Sequence, residues 1–250
     1  MPLYGTRDIA TVMDRSALMP NFSTDTWELP RAGILQVMYE IRQEAMVSLI
    51  PSALHPTIPP TIVFCLTHAP TSSVGPFTMA EVRVGCRAGG RPRGFVARCY
   101  VDTEAAANEL RSRWGYPAEV ADVKLRTGYD RHRGTVVAAG TTILEVALQN
   151  PEPINGGDIQ YLPAVHVARV ARDGAEITRI VQVDPDYVFH KADRGKPLML
   201  EFDPAAFGVE GADAWWPVSA SYAVADITMP HIRYVLDPTK PAIEGVERVG

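Results

Sequence analysis

The sequence predicts a mainly β protein, either a barrel or a sandwich of short antiparallel strands. Three observations carry that reading. The 21 prolines and 19 glycines are spread along 250 residues instead of being pooled in one linker, which suits many strands joined by turns. Apolar and alternating runs recur at short intervals from residue 34 to residue 227. Helical periodicity is confined to two short segments.

Strands are expected at Ile34–Tyr39, Thr61–Thr67, Thr78–Cys86 and Gly94–Val101, then at Ala121–Arg126, Thr135–Leu148 and Val165–Val170. Glu176–Asp184, Leu198–Phe202 and Trp216–Ile227 complete the set. Within the third, Arg83, Gly85 and Arg87 alternate with Val82, Val84 and Cys86, the pattern of a half-buried strand. Ala88-Gly-Gly-Arg91 marks a hairpin turn, with Arg87–Arg93 as its solvated tip. Arg42–Leu49 has the composition of one or two helical turns closed by Pro51. Thr103–Arg113 is the principal helix: Asp102 or Thr103 can cap its first turn, the alanines favour it, and Gly115 suits a left-handed stop. No internal repeat or domain boundary is evident, so residues 1–250 read as one domain. The first 30 or so residues are expected to form an irregular arm, and 238–250 a polar, frayed tail.

Hydrophobic content of 46%, charged content of 21% and a mean hydropathy of -0.03 describe an ordinary globular chain. A formal charge of -5 and the lack of a dense basic stripe argue against a nucleic-acid partner. No apolar run approaches the roughly 20 residues that span a bilayer, and the N-terminus has no signal-peptide pattern. A cytoplasmic protein without membrane attachment is the expectation. Cys65, Cys86 and Cys99 are odd in number and lack C-x-x-C spacing, so they are read as reduced core residues and not as a disulfide or metal framework. His166 and His190 have no metal-ligand spacing around them, and no metal site or cofactor is expected.

Four segments in order carry a resemblance: Val37–Pro51, Ser73–Thr78, Tyr100–Pro117 with its strand, helix and Trp-Gly-Tyr-Pro turn, and Pro217–Pro230 with its Ala-Asp-Ile-x-x-Pro sequence. Together they resemble the acetoacetate decarboxylase family over about residues 30–237. The resemblance implies a closed, cone-shaped antiparallel β-barrel with few short helices, an apolar interior, a small-molecule substrate and a homo-oligomer.

In that family the Gly-Tyr-Pro turn is followed by two lysines, the first of which condenses with a β-keto acid. Here those places hold Ala118 and Glu119. Alanine forms no imine, and Glu119 puts an acid where the family has a second cation. Two family carboxylates align with Phe64 and Met79, and the entry-strand arginine aligns with Ala32, leaving Arg31 beside it as a replacement. Direct acetoacetate decarboxylation is therefore not expected.

The candidate catalytic residues are Glu119, as an acid/base against an apolar wall, and Tyr116, as a hydrogen-bond donor to an oxyanion. Arg31, Tyr39, Phe64, His68, Met79, Arg98, Trp114 and Ala118 are the candidate substrate-binding residues. The function this implies is imine-free acid/base chemistry on a keto-acid or polyketide-like molecule: cyclisation, dehydration, isomerisation or non-covalent decarboxylation, in a secondary-metabolism setting. Two alternatives stand beside it: a non-catalytic small-molecule binder, and an imine enzyme using Lys124 as a displaced nucleophile.

Overall fold

Sixteen strands hydrogen-bond into one continuous sheet in the computed structural model, which describes residues 3–22, 25–172 and 174–249. The first half contains β1 (Leu18–Met19), β2 (Trp27–Glu40), β3 (His55–Pro56), β4 (Thr61–Ala69), β5 (Phe77–Ala88), β6 (Arg91–Val101), β7 (Ala118–Val120) and β8 (Asp122–Thr127). The second contains β9 (Arg131–Ala138), β10 (Thr141–Pro153), β11 (Ala164–Arg172), β12 (Ala175–Val183), β13 (Asp186–Phe202), β14 (Trp216–Met229), β15 (Tyr234–Leu236) and β16 (Val246–Arg248). The sheet runs β16-β15-β12-β11-β6-β5-β4-β2-β14-β13-β10-β9-β8, with β1, β3 and β7 added on β11, β5 and β6. Pairing is antiparallel except where β6 meets β7 and β11 and where β1 meets β11.

Helices are few and short: α1 (Ala10–Met13), α2 (Gln43–Leu49), α3 (Glu104–Glu109) and α4 (Ala242–Gly245). The start of α3 follows from its sequence, since the Thr103 hydroxyl accepts from the Ala106 amide at 3.3 Å. Beyond Glu109 the helix widens into one π-helical turn, Leu110–Trp114, and stops at Gly115 with φ 72°. A Cβ at Gly115 would meet Ala168 and Met19 at 2.6 and 2.7 Å, so both conformation and space demand glycine.

Several segments differ from the sequence expectation. Thr135–Leu148 is not one strand but the heart of a hairpin, β9–β10, turning at Ala139 and Gly140 with φ 48° and 80°. Two successive positive φ values give the twist that suits a two-residue hairpin. The strand expected at Leu198–Phe202 begins earlier, at Asp186. The C-terminal tail is paired and not frayed: β16 zips onto β15, and Ala242 and Val249 are buried. The N-terminal arm contributes β1, paired in parallel with β11, and the Arg7 Nη1 donates to the Gly208 carbonyl at 2.9 Å. Arg83 and Gly85 are not on a solvent face, because β5 is buried on both sides as far as Cys86.

That last point explains the run Thr61–Leu66, which is buried without interruption. A strand covered on both faces loses its polar alternation. One face of β2, β4, β5 and β6 packs Leu35, Val37, Phe64, Leu66, Ala80 and Val82 against the β8–β10 region. The other packs Ile34, Cys65, Met79 and Cys99 against Trp114, Tyr116, Ala118 and β11. Each large side chain fully buried this way contributes roughly 1.5–3 kcal/mol.

Candidate active site

Strand register places one residue from each of five neighbouring strands on a single transverse row. Gln36 faces Cys65, Cys65 faces Glu81, Glu81 faces Cys99, and Cys99 faces Ala118. Directly opposed residues share a sheet face. Met79 and Arg83, two positions either side of Glu81, share it as well. Tyr116, on the turn before β7, packs in the same cluster.

Glu81 and Arg83 are the charged members, exposed by only 1% and 6%. Arg83 Nη2 lies 2.5 Å from Glu81 Oε2, and Arg83 Nη1 donates to the Leu162 carbonyl at 2.6 Å. Burial opposes the charge on Arg83, but the pull of Glu81, helped by Cys65, Tyr116 and Tyr187, carries its pKa well above the ordinary value. Glu81 Oε1 and Arg83 Nε are buried with no partner among the described residues, as are Tyr161 Oη and His166 Nδ1. Buried polar atoms are rarely left unpaired, so these atoms are the ones a ligand or an ordered water would contact here.

The surrounding groups are held neutral. Burial lowers the His166 pKa to about 4, with the Trp114 carbonyl working against that and Arg83 adding to it. The imidazole Nε2 sits 2.7 Å from the Trp114 carbonyl. A carbonyl only accepts, so the proton is on Nε2 and Nδ1 offers a lone pair. The Tyr116 ring lies 4.4 Å from that imidazole. Burial and then Glu81 push the Tyr116 phenol up, with Arg83 pulling the other way, so it stays a donor. Cys65 and Cys99 are raised chiefly by burial and remain thiols. Tyr161, Tyr187 and Phe189 stack into an aromatic wall with centroids 4.8–6.2 Å apart.

Of the residues singled out from the sequence, Met79, Trp114, Tyr116 and Ala118 gather on this face. Trp114 is a packing residue: its indole stacks on Trp27 at 5.6 Å and its N–H is committed to the Pro230 carbonyl. Phe64 and Tyr39 lie on the opposite face, packed edge to face at 6.2 Å. His68 is on that side too, with Nδ1 3.0 Å from the Thr78 hydroxyl. Glu119 faces Tyr100 across β6–β7, its side chain is 47% exposed, and Arg98 Nε lies 3.1 Å away. Arg98 is further bound to Tyr100 and to the Ala206 carbonyl. Arg31 is exposed, at φ 52°, with its amide bonded to Asp226. Glu119 is one residue beyond Ala118, a step that in a strand reverses the face and so parts it from Ala118 and the Tyr116 cluster. Glu81 and Arg83 are the functional candidates that the sequence reading passed over. The signal for them was present: two charges at i and i+2 inside an otherwise apolar strand.

The family profile of acetoacetate decarboxylase matches residues 14–238. The chain belongs to the acetoacetate decarboxylase family. No curated protein sequence matches it significantly. Among solved structures, the acetoacetate decarboxylase of Legionella pneumophila is similar at a TM-score of 0.73 and 18% identity, over 87% of this chain and 89% of that one. An acetoacetate decarboxylase-like enzyme from Sphingomonas wittichii aligns at 0.67 and 15%, over 83% and 91%. The enduracididine biosynthesis enzyme MppR, bound to the condensation product of pyruvate and imidazole 4-carboxaldehyde, aligns at 0.66 and 17%, over 84% and 89%. The mainly β architecture is therefore that of the acetoacetate decarboxylase-like enzymes.

Lysine is scarce and superficial in this member. Lys124 is half exposed and lies 2.5 Å from Asp122, Lys191 and Lys240 pair with Asp193 and Asp237, and Lys196 is exposed. Among the described residues no cluster of three or more His, Cys, Asp or Glu forms a metal-binding set, and no helix is long and apolar enough to cross a membrane.

Proposed function

We propose that this acetoacetate decarboxylase-family protein is an enzyme that moves a proton on a small keto acid without forming an imine. The buried Glu81–Arg83 pair beside Tyr116 and Ala118 carries the reading. Glu81 has one oxygen taken by Arg83 and one free. The free oxygen is the base: it accepts a proton from the carbon next to the substrate carbonyl. The C–H electron pair passes into the enolate, whose oxygen is held by the Arg83 guanidinium and the Tyr116 hydroxyl. The proton then returns from Glu81 to another carbon of the enolate system, giving isomerisation; to the oxygen of a second carbonyl whose carbon the enolate has attacked, giving ring closure; or to a departing hydroxyl, giving dehydration. Such roles suit a dry interior, where fixed donors act more strongly than in water.

Two features support this reading over a displaced lysine. The chain's lysines lie at the surface, and Ala118 occupies the place where the family resemblance puts the nucleophile. Enzymes among its structural neighbours support catalysis over simple binding.

The test is exchange of α-protons of 2-oxobutanoate and acetoacetate in deuterated water, followed by NMR. Wild type is expected to exchange them, and Glu81→Gln to slow exchange by roughly 10²–10⁴-fold. Because Glu81→Gln leaves Arg83 uncompensated, Tyr116→Phe serves as a second, milder variant. Keto-acid binding with no exchange in wild type would favour the binder; exchange unaffected by either variant would remove Glu81 from the mechanism.

A further inference from the structure

The transverse row does not end at Gln36. Ser221 faces Gln36 across β14–β2, and Arg194 faces Ser221 across β13–β14. Arg194, Ser221 and Gln36 line a cavity of about 460 Å³, together with Ser219 of β14 and with Asp158 and Gln160 from the 154–160 stretch. Gln36 is 4% exposed; its Nε2 donates to the Gln160 carbonyl at 3.1 Å, and its Oε1 has no partner among the described residues. The Ser221 hydroxyl is buried and unpartnered in the same way. The Arg194 side chain is two-thirds exposed, and Glu152, its ion-pair partner, is 3.7 Å away, beyond hydrogen-bond reach.

We infer that this cavity is an antechamber binding the far end of an elongated keto acid, with its carboxylate on Arg194 and a mid-chain amide or hydroxyl donor on Gln36 and Ser221. The inference rests on the reading of Glu81 and Arg83 as the reacting end. Each chemistry has its place along the row: an exposed guanidinium, only loosely paired with Glu152, for an anion, then an orphaned amide oxygen and a hydroxyl for a donor, then the buried ion pair. Arg194 and Glu81 are four strand spacings apart, roughly 19 Å between backbones at about 4.8 Å each. With side chains reaching in from both ends, a ligand of roughly eight to ten chain atoms bridges that distance. A four-carbon acid such as acetoacetate does not.

Residues 160–162 stand between the antechamber and the interior. The Gln160 carbonyl takes the Gln36 amide on one side, and the Leu162 carbonyl takes Arg83 on the other. A substrate lying along the row takes the place of both carbonyls and must offer acceptors of its own to Gln36 and Arg83.

Two probes separate length from reactivity in isothermal titration: 4-oxopentanoate, and N-(4-oxopentanoyl)-4-aminobutanoate, which adds an amide and moves the carboxylate outward. Wild type is expected to bind the long acid about tenfold more tightly or better, the effect of one charge-assisted contact. Arg194→Gln is expected to erase that margin, and Gln36→Met to erase part of it. Equal affinities for the two acids in wild type, or a margin that survives Arg194→Gln, would overturn the antechamber. If the margin depends on Arg194 while proton exchange ignores Glu81, the binding site stands and the proposed chemistry falls.

Discussion

Glu81 and Ala118 stand on one row of the sheet, two strands apart, with Cys99 between them. The carboxylate therefore overlooks the place where the family resemblance puts a lysine. Its counter-charge comes from Arg83 on its own strand, 2.5 Å away.

A buried ion pair costs much of its attraction in lost hydration, and removing one partner leaves an unpaired charge in the core. Arg83→Met is expected to destabilise the fold by roughly 3–5 kcal/mol, whereas Glu81→Leu with Arg83→Met should restore most of that loss. Urea denaturation checks both. A double variant as unstable as the single one would show that the pair is not energetically isolated.

Glu119 and Tyr116 offer a contrast within four residues. Glu119→Gln touches a half-exposed ion pair with Arg98 and is expected to change stability by less than about 1 kcal/mol and leave proton exchange within about twofold. Tyr116→Phe keeps the ring against His166 but removes the donor, and should slow exchange roughly ten- to hundredfold, the effect of one hydrogen bond to a charged oxygen. Exchange rates for the two variants, read side by side, decide which face of β7 does chemistry; the reverse order would move the reaction to the Arg98 side.

Acid should loosen this fold through His166. Its pKa falls from 6.5 when free to about 4 when folded, so below 6.5 the unfolded chain takes up a proton that the native state refuses. Stability present above pH 6.5 is lost as pH falls toward 4, by up to roughly 3 kcal/mol. His132 is lowered by burial as well and adds to the loss in the same direction. Melting temperatures between pH 7 and pH 4 should fall less steeply for His166→Asn than for wild type. Parallel pH profiles would exclude His166 as the source.

Much of the architecture was legible because short-range physics set it. The Thr103 cap, the Gly115 stop and the Gly89-Gly90 hairpin all lie where local preference puts them. The β9–β10 turn escaped because Gly140 alone marked it: Ala139 beside it takes a positive φ that its residue type disfavours. On the face of the candidate site, Tyr116, Met79 and Ala118 come from the family resemblance, whereas Phe64 and Glu119 fall on the opposite face. Glu81 and Arg83 were missed because charge in a strand ordinarily means solvent. Only the covering of β5 on both sides reverses that rule, and such covering comes from β11 and the Trp114–Ala118 segment, remote in sequence.

The row from Arg194 to Ala118 takes one side chain from each of seven strands. No contiguous peptide contains more than a sliver of it, and it exists only once strands distant along the chain have zipped together. Its acids, thiols and amides can consequently be exchanged one strand at a time while the backbone ladder beneath them is untouched. A lineage can rewrite what such a sheet does through scattered single replacements, each of which leaves the neighbouring motif intact.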